Sequence, residues 1–316
     1  MKKDILYIVV PCFNEQEVLP ITTPQLLEVL SLLCRENLID EHSRILYVDD
    51  GSTDDTWELI NRHCREHDQV CGVKLAGNVG HQNALVAGMT VARERADIIV
   101  TIDADLQDDV SVIGQMVERY RQGCDIVYGV RRERKSDTWF KRNTALAFYR
   151  LMQRLGVKSV YNHADYRLMS RRAVNQLLQY RERNLFLRGI VPLVGYRSEK
   201  VYYDRGERLA GESKYPLGKM MSFAVDGITS FSIKPVRMVL TLGVVFTLIA
   251  LVMLAYVLVA YFGGRTVSGW SSLILSLWFI GGCVLIGLGI VGEYIGKIYI
   301  EVKDRPRYNI EQEVIH

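Results

Sequence analysis

The chain of 316 residues lacks charge in two long stretches. No Asp, Glu, Lys or Arg occurs from Met238 to Gly264 or from Thr266 to Gly292, and Arg265 alone separates the two. The remainder has the charge density of an ordinary soluble domain. That contrast excludes a purely soluble enzyme, a disordered chain and a polytopic transporter. A net excess of charge is also missing: 39 Lys and Arg stand against 36 Asp and Glu, a balance of +3, which leaves no electrostatic footprint for nucleic acid. The six cysteines, at 12, 34, 64, 71, 124 and 283, form no CxxC pair and show no zinc spacing. In a reducing cytoplasm they are packing residues. There is no internal repeat and no low-complexity tract. The start, MKKDILYIVVPCF, imitates a signal peptide but has no small-residue cleavage site before NE, so Ile5–Val10 is expected as a buried first strand.

A bilayer-spanning helix needs about 20 apolar residues, and Met238–Phe262 and Trp270–Val291 both supply them. The short link GGRTVSG makes the pair an antiparallel hairpin. Lys234 and Arg237 precede the first helix, and Lys297, Lys303, Arg305 and Arg307 follow the second. This bias places both ends in the cytoplasm. The expected organisation is a cytoplasmic domain at 1–210 and an interfacial juxtamembrane segment at 211–235. Transmembrane helices at 236–264 and 268–294 and a cytoplasmic tail at 295–316 complete it. Glycines 281, 282, 287, 289 and 292 permit close helix packing within or between subunits.

In the soluble part, β-branched runs alternate with helical patterns. ILYIVV precedes a helix over Val18–Cys34, and RILYVDD precedes DDTWELINRHC. VCGVKLA precedes a helix over His81–Arg95, and ADIIVTID precedes one over Val110–Arg121, with CDIVYGV after it. Such spacing predicts βαβ units and a mostly parallel sheet, with ligands outside the carboxyl ends of the strands. Three polar signatures fall there: PCFNE, DDGSTDD and DADLQDD.

Asp103, Asp105 and Gln107 alternate after an apolar strand. On extended backbone they share a face, and three oxygen donors suit Mg²⁺ or Mn²⁺; a solvated acidic turn has the same appearance. Asp50 ends the second strand, where a carboxylate accepts hydrogen bonds from a base or ribose, while Ser52, Thr53 and Asp54 are also helix-capping types. Pro11, Phe13 and Glu15 follow the first strand. Arg131, Arg132, Arg134 and Lys135, and later Arg205, Arg208 and Lys214, suit phosphate oxygens or an anionic lipid surface.

VPCFNE, VDDGSTDDT, GNVGHQNAL, DADLQDD, YGVRRER, DYRLMSR and RLAGESKY occur in one order along the chain. In that order they resemble the polyisoprenyl-phosphate group of family 2 glycosyltransferases, above all the bactoprenol glucosyltransferases with two C-terminal membrane helices. The formamido-arabinose and dolichol-phosphate mannose enzymes are cousins. The resemblance covers the whole chain. It implies an α/β fold of GT-A (Rossmann-like) type, a mostly parallel sheet followed by a two-helix transmembrane hairpin. It also implies that Pro11, Phe13, Glu15, Asp50 and Ala104 hold the donor nucleotide, that Asp103, Asp105 and Gln107 hold Mg²⁺ or Mn²⁺ and the diphosphate, and that Arg131, Arg208 and Lys214 contact phosphates. Asp103, Asp105 and Asp165 are the catalytic carboxylates on this reading. Asp165 either accepts a residual proton or orients an arginine. The QxxRW signature of processive synthases is absent, which implies one sugar per event. The implied reaction moves a sugar, glucose first in expectation, from a UDP-sugar to undecaprenyl phosphate at the cytoplasmic face of a bacterial inner membrane, with inversion. N-acetylglucosamine, formamido-arabinose and GDP-mannose are the other donors to test. A homotetramer is implied by the resemblance alone. A non-catalytic nucleotide-sugar sensor is the rival of a different class.

Overall fold

Strand β1 (Leu6–Cys12) reads LYIVVPC, and all of its residues are buried. Such a run belongs to a strand covered on both faces, and in the computed structural model it lies inside an eight-stranded sheet. The structure describes residues 3–105, 107–132, 163–183, 185–204, 234–262 and 269–316. The first half runs as alternation dictates: β1, α1 (Leu19–Arg35), β2 (Arg44–Asp49), α2 (Thr56–Glu66), β3 (Val70–Leu75), α3 (His81–Ala92), β4 (Ile98–Thr101), α4 (Val112–Arg121) and β5 (Ile126–Arg131). Then follow β6 (His163–Ser170), α5 (Arg171–Leu177), α6 (Leu187–Ile190), a 3₁₀ turn (Val191–Val194) and β7 (Ser198–Tyr203). The strand order is β7-β5-β6-β4-β1-β2-β3-β8, where β8 is Ile310–Val314.

The sheet is mixed, where the alternation predicted a mostly parallel one. β1 pairs parallel with β2 and β4, β2 with β3, and β5 with β7. β6 is antiparallel to both neighbours, β4 and β5, and β8 is antiparallel to β3. Neither exception carries a βαβ pattern. β6 is far from β5 in sequence and β8 follows the apolar helices, so neither has the short connection typical of a parallel βαβ unit. Residues 295–316 read as a tail in the sequence, yet Arg305–His316 belong to the sheet unit. The insertion of β6 matters for the site. Its register, Val100↔Leu168 and Thr101↔Arg167, runs Asp165 up to the end of β4, where Asp103 lies.

The core is continuous. Leu6, Ile8 and Val10 pack with Leu26, Leu30, Ile45, Tyr47, Ile60, Ile98, Val100, Ile113, Met116 and Tyr166. Gly88 in α3 is obligatory, because a Cβ there would stand 2.4 Å from Val9 Cγ1 and 2.7 Å from Val48 Cγ2. The cysteines are free, and Cys12, Cys64, Cys71 and Cys124 are buried, consistent with a packing role.

The second unit contains α7 (Lys234–Phe262) and α8 (Trp270–Val302). Phe246 meets Phe279 edge-on with centroids 5.9 Å apart, and a Cβ on Gly287 would meet Val239 at 3.2 Å. Leu240, Leu248, Val252, Leu273, Leu277 and Ile286 point their side chains outward, each more than half exposed. Among the described residues, Phe279–Val302 is long and apolar enough to cross a membrane. The link at 263–268 and nearly all of the expected juxtamembrane segment lie outside the described residues.

Candidate active site

The loops after β1 and β2 are stitched together by their own polar side chains. Asn14, at φ +55°, donates its N–H to Ser52 Oγ at 3.0 Å, and its Oδ1 accepts from the Thr53 N–H at 2.8 Å. The Glu15 N–H donates to Thr56 Oγ1 at 2.8 Å, and the Asp55 N–H to Gln16 Oε1 at 3.1 Å. Pro11 lies within β1 opposite Val48, and Phe13 stands 45% exposed at the rim. The capping types that the sequence showed after Asp50 therefore tie one loop to the other.

Asp50 is buried and accepts two backbone hydrogen bonds, from the N–H of Val79 at 2.7 Å and of Gly80 at 3.0 Å. Burial raises its pKa, and those two bonds oppose the rise. Its first duty is thus to shape the loop leading into α3. Gly51, at φ +67°, lets that loop approach: a Cβ there would lie 2.6 Å from Asn78 N and from Gly77 C. Asp49 beside it is fully buried, and its Oδ2 has no hydrogen-bond partner among the described residues.

The first residue of α3 is His81. Its Nε2 lies 3.4 Å from Asp103 Oδ1 and 3.8 Å from Asp165 Oδ2, so one imidazole spans the two carboxylates. The strand β4 ends at Thr101 and the chain turns at Ala104–Asp105. Asp103 and Asp105 therefore come together through a turn, where the sequence suggested extended alternation. Asp105 Oδ1 accepts from the Gln107 N–H at 3.3 Å, and Gln107 is buried. The Ala104 carbonyl accepts from Thr22 Oγ1 at 2.8 Å and pins the turn. Asp103 Oδ1 is shielded from solvent without a hydrogen-bond partner among the described residues. Burial raises the Asp103 pKa to about 6. His81 opposes the rise, and the neighbouring Asp165, Asp108 and Asp105 add to it. A carboxylate oxygen with no hydrogen bond among the described residues, met only by the His81 ring nitrogen at 3.4 Å and set among further carboxylates, belongs to a donor set that fits a hard divalent cation.

Asp165 is the mirror case. Burial alone would raise its pKa, but Arg188, Arg167 and His81 outweigh it and hold the carboxyl well below the usual range. Arg188 Nη2 is 3.2 Å from Oδ2, and Arg167 pairs with Oδ1. Thr101 Oγ1 donates to the Asp165 carbonyl at 2.6 Å and ties β6 to the end of β4. Arg131 Nη2 donates to Asp108 Oδ1 at 2.8 Å, and Tyr203 Oη donates to the same oxygen at 2.6 Å.

Among the residues expected from sequence, the structure therefore gathers Asp103 and Asp165 around His81. It places Asp105, Ala104 and Gln107 in the adjoining turn, and Asp50 beneath the loop that precedes His81. Arg131 is engaged with Asp108. Arg208 and Lys214 lie outside the described residues. Sequence reasoning missed His81, Asp108, Arg167, Arg188 and Tyr203 as site residues. His81 sits in GNVGHQNAL, Asp108 in DADLQDD and Arg167 in DYRLMSR, so each was in view but credited to a neighbour. Arg188 and Tyr203 had no local signal.

An α/β domain with a mixed sheet of GT-A-like form, and acidic groups gathered past the strand ends, is the class this architecture defines. The family model "Glycosyl transferase family 2" matches residues 7–178. The uncharacterized glycosyltransferase YkoT of Bacillus subtilis (strain 168) is 56% identical over 307 residues, covering 97% of this chain and 91% of that protein. The prophage bactoprenol glucosyl transferase homolog of Escherichia coli (strain K12) is 38% identical, covering 96% and 98%. The bactoprenol glucosyl transferase of Shigella phage SfII is 38% identical, covering 96% and 97%. The chain belongs to glycosyl transferase family 2, and it is a glycosyltransferase.

Proposed function

We propose that this protein transfers one glucosyl unit from UDP-glucose to undecaprenyl (polyprenyl) phosphate at the cytoplasmic face of a bacterial plasma membrane, inverting the anomeric carbon. The observation that carries the reading is the Asp103–His81–Asp165 cluster, a cation-seeking carboxylate set beside one locked in its ionised form by arginines. Relatives named as bactoprenol glucosyl transferases, alike over almost the whole chain, support the acceptor and the sugar.

In the proposed step an acceptor phosphate oxygen forms the bond to the anomeric carbon. The bond from that carbon to the UDP oxygen breaks, and its electron pair leaves with UDP. Asp103 and Asp105, with Gln107, would hold Mg²⁺ or Mn²⁺, and the ion supplies Lewis-acid neutralisation of the departing diphosphate. The acceptor is a phosphate monoester whose second pKa is about 6, so it arrives largely ionised and needs little from a base. Asp165, with its depressed pKa, is a weak proton acceptor near neutrality. Its role in this reading is to hold Arg188 and His81 in place, and the rate enhancement comes from positioning and charge neutralisation.

The apolar side chains exposed on α7 and α8, together with the contacts Phe246–Phe279 and Val239–Gly287, support a membrane hairpin. Such a hairpin confines the enzyme to the plane of its lipid acceptor and raises the effective concentration. Incubating purified full chain with undecaprenyl phosphate, Mg²⁺ or Mn²⁺ and each of UDP-glucose, UDP-N-acetylglucosamine, UDP-formamido-arabinose and GDP-mannose, with products read by mass, tests the proposal. UDP-glucose is expected to give the lipid-linked hexose. Product from another donor alone refutes the sugar assignment, and no product from any donor refutes the reaction.

A further inference from the structure

Away from Asp103 and Asp165, α2 ends in HCRE and His67 follows as its C-terminal cap, so that His63, Glu66 and His67 stand at spacings of three and four. His63 and Glu66 share one face of the helix, and His67 joins them from the extended cap. One ligand atom from each of the three lies within 4.8 Å of the others. His63 Nδ1 is 4.0 Å from Glu66 Oε2, and the two imidazole rings stack with centroids 6.3 Å apart, tilted by 23°. The His67 N–H donates to the His63 carbonyl at 2.9 Å and closes the last turn.

His63 is the deep member, with its side chain 14% exposed. Both of its ring nitrogens are shielded from solvent, and neither has a hydrogen-bond partner among the described residues. An unsatisfied buried polar group is destabilising, so a histidine without a hydrogen bond at either nitrogen calls for a reason. Burial lowers the pKa of this imidazole, against the pull of Glu66, and the neutral ring is the form that ligates metals. The cluster also caps the carboxyl end of α2, where the helix dipole favours positive charge.

We propose that His63, Glu66 and His67 form a binding site for a divalent transition ion of the zinc type, distinct from the Asp103 site. Two imidazoles and one carboxylate suit Zn²⁺ and its neighbours, whereas Mg²⁺ and Mn²⁺ favour all-oxygen sets. The three protein groups leave room for a solvent ligand. The site is tied to the chain terminus as well: His316 Nε2 is 3.0 Å from the carbonyl of Cys64, within the same turn.

The test uses untagged full chain in detergent, stripped with chelator. Zn²⁺ is titrated by equilibrium dialysis and by thermal unfolding, because an ion that binds only the folded state raises the midpoint. Wild type and Asp103→Ala are expected to bind one Zn²⁺ at this site and to be stabilised alike. His67→Ala and Glu66→Gln change the solvent-facing ligands and spare the buried ring. They are expected to unfold at the wild-type temperature without metal and to bind Zn²⁺ about tenfold or more weakly. Wild-type Zn²⁺ affinity in both variants overturns the site, as does absence of Zn²⁺ binding by wild type. Loss of binding in Asp103→Ala alone overturns it too, by locating the ion at the strand ends.

Discussion

Arg131 Nη2 donates to Asp108 Oδ1 at 2.8 Å, and Arg131 Nε donates to the same oxygen at 3.0 Å. Asp108 is almost fully buried and belongs to the same loop as Asp103 and Asp105. An arginine at the end of β5 thus grips the far side of the loop that carries Asp103 and Asp105, with Tyr203 Oη donating alongside. The loop carrying the candidate donors is held from both ends, by Thr22 on Ala104 and by this pair on Asp108.

Removing one partner of a buried ion pair strands the other, at a cost of about 3–5 kcal/mol. Arg131→Ala is therefore expected to lower the unfolding temperature of substrate-free protein, and Arg131→Lys to lower it less. A residue whose work was confined to substrate phosphate would leave that temperature unchanged, so thermal unfolding without ligand separates the two roles.

Asp103 and Asp165 titrate in opposite senses. Asp103 is raised to about 6, chiefly by burial. A carboxyl so raised contributes stability at low pH that is lost as pH climbs through the folded value. Asp103→Asn is expected to abolish turnover with Mg²⁺ or Mn²⁺ and yet make metal-free protein more stable than wild type at pH 8, with the advantage gone at pH 4. Paired unfolding curves at the two pH values decide this; a variant less stable than wild type at pH 8 contradicts it.

For Asp165 burial pushes upward, but Arg188, Arg167 and His81 prevail and the carboxyl is depressed. Its stabilisation is present above the unfolded carboxylate value, about 3.9, and is lost as pH falls through the lower folded one. Asp165→Asn should show a shallower loss of stability than wild type below pH of about 4. Parallel acid-denaturation curves would contradict the arginine clamp.

The sequence made β1 to β5 and α1 to α4 legible because each strand and helix there carries its own periodicity. Val18–Cys34 was expected and Leu19–Arg35 is found; His81–Arg95 was expected and His81–Ala92 is found. β6 and β8 were not legible, since antiparallel insertion and edge capping are long-range choices that leave no local pattern. The site divides the same way. Asp103 and Asp165 stood in recognisable motifs, whereas Arg188 becomes part of the site only through folding. The pairing of Arg131 with Asp108 had no local signal either, because a basic residue at a strand end reads the same whether it meets a substrate or a neighbouring carboxylate.

Gly51 offers a backbone test. Its φ of +67° is a left-handed conformation, and a Cβ would press on the backbone of Gly77 and Asn78 at 2.6 Å. Gly51→Ala is expected to cost about 1–2 kcal/mol for the conformation alone, and more as the loop is pushed off Asp50. The Val79 and Gly80 N–H groups then lose their acceptor, and His81 shifts with them. Donor KM should rise along with the fall in unfolding temperature; a variant with unchanged temperature and KM contradicts the coupling.

The last prediction concerns β8. It pairs antiparallel with β3 from Gly72↔Val314 to Leu75↔Ile310, and Lys74 meets Glu311 at 3.2 Å across the ladder. Arg307 Nη2 donates to the carbonyls of Tyr180 at 2.7 Å and Glu182 at 3.1 Å. Cutting the chain after Asp304 removes those bonds and bares the β3 edge, whose unpaired N–H and C=O groups template association with other chains. A truncation at that point is expected to unfold earlier than wild type and to aggregate on size-exclusion chromatography in detergent. A dispensable tail predicts a monodisperse truncation with the wild-type melting temperature, and that result would remove β8 from the folding unit.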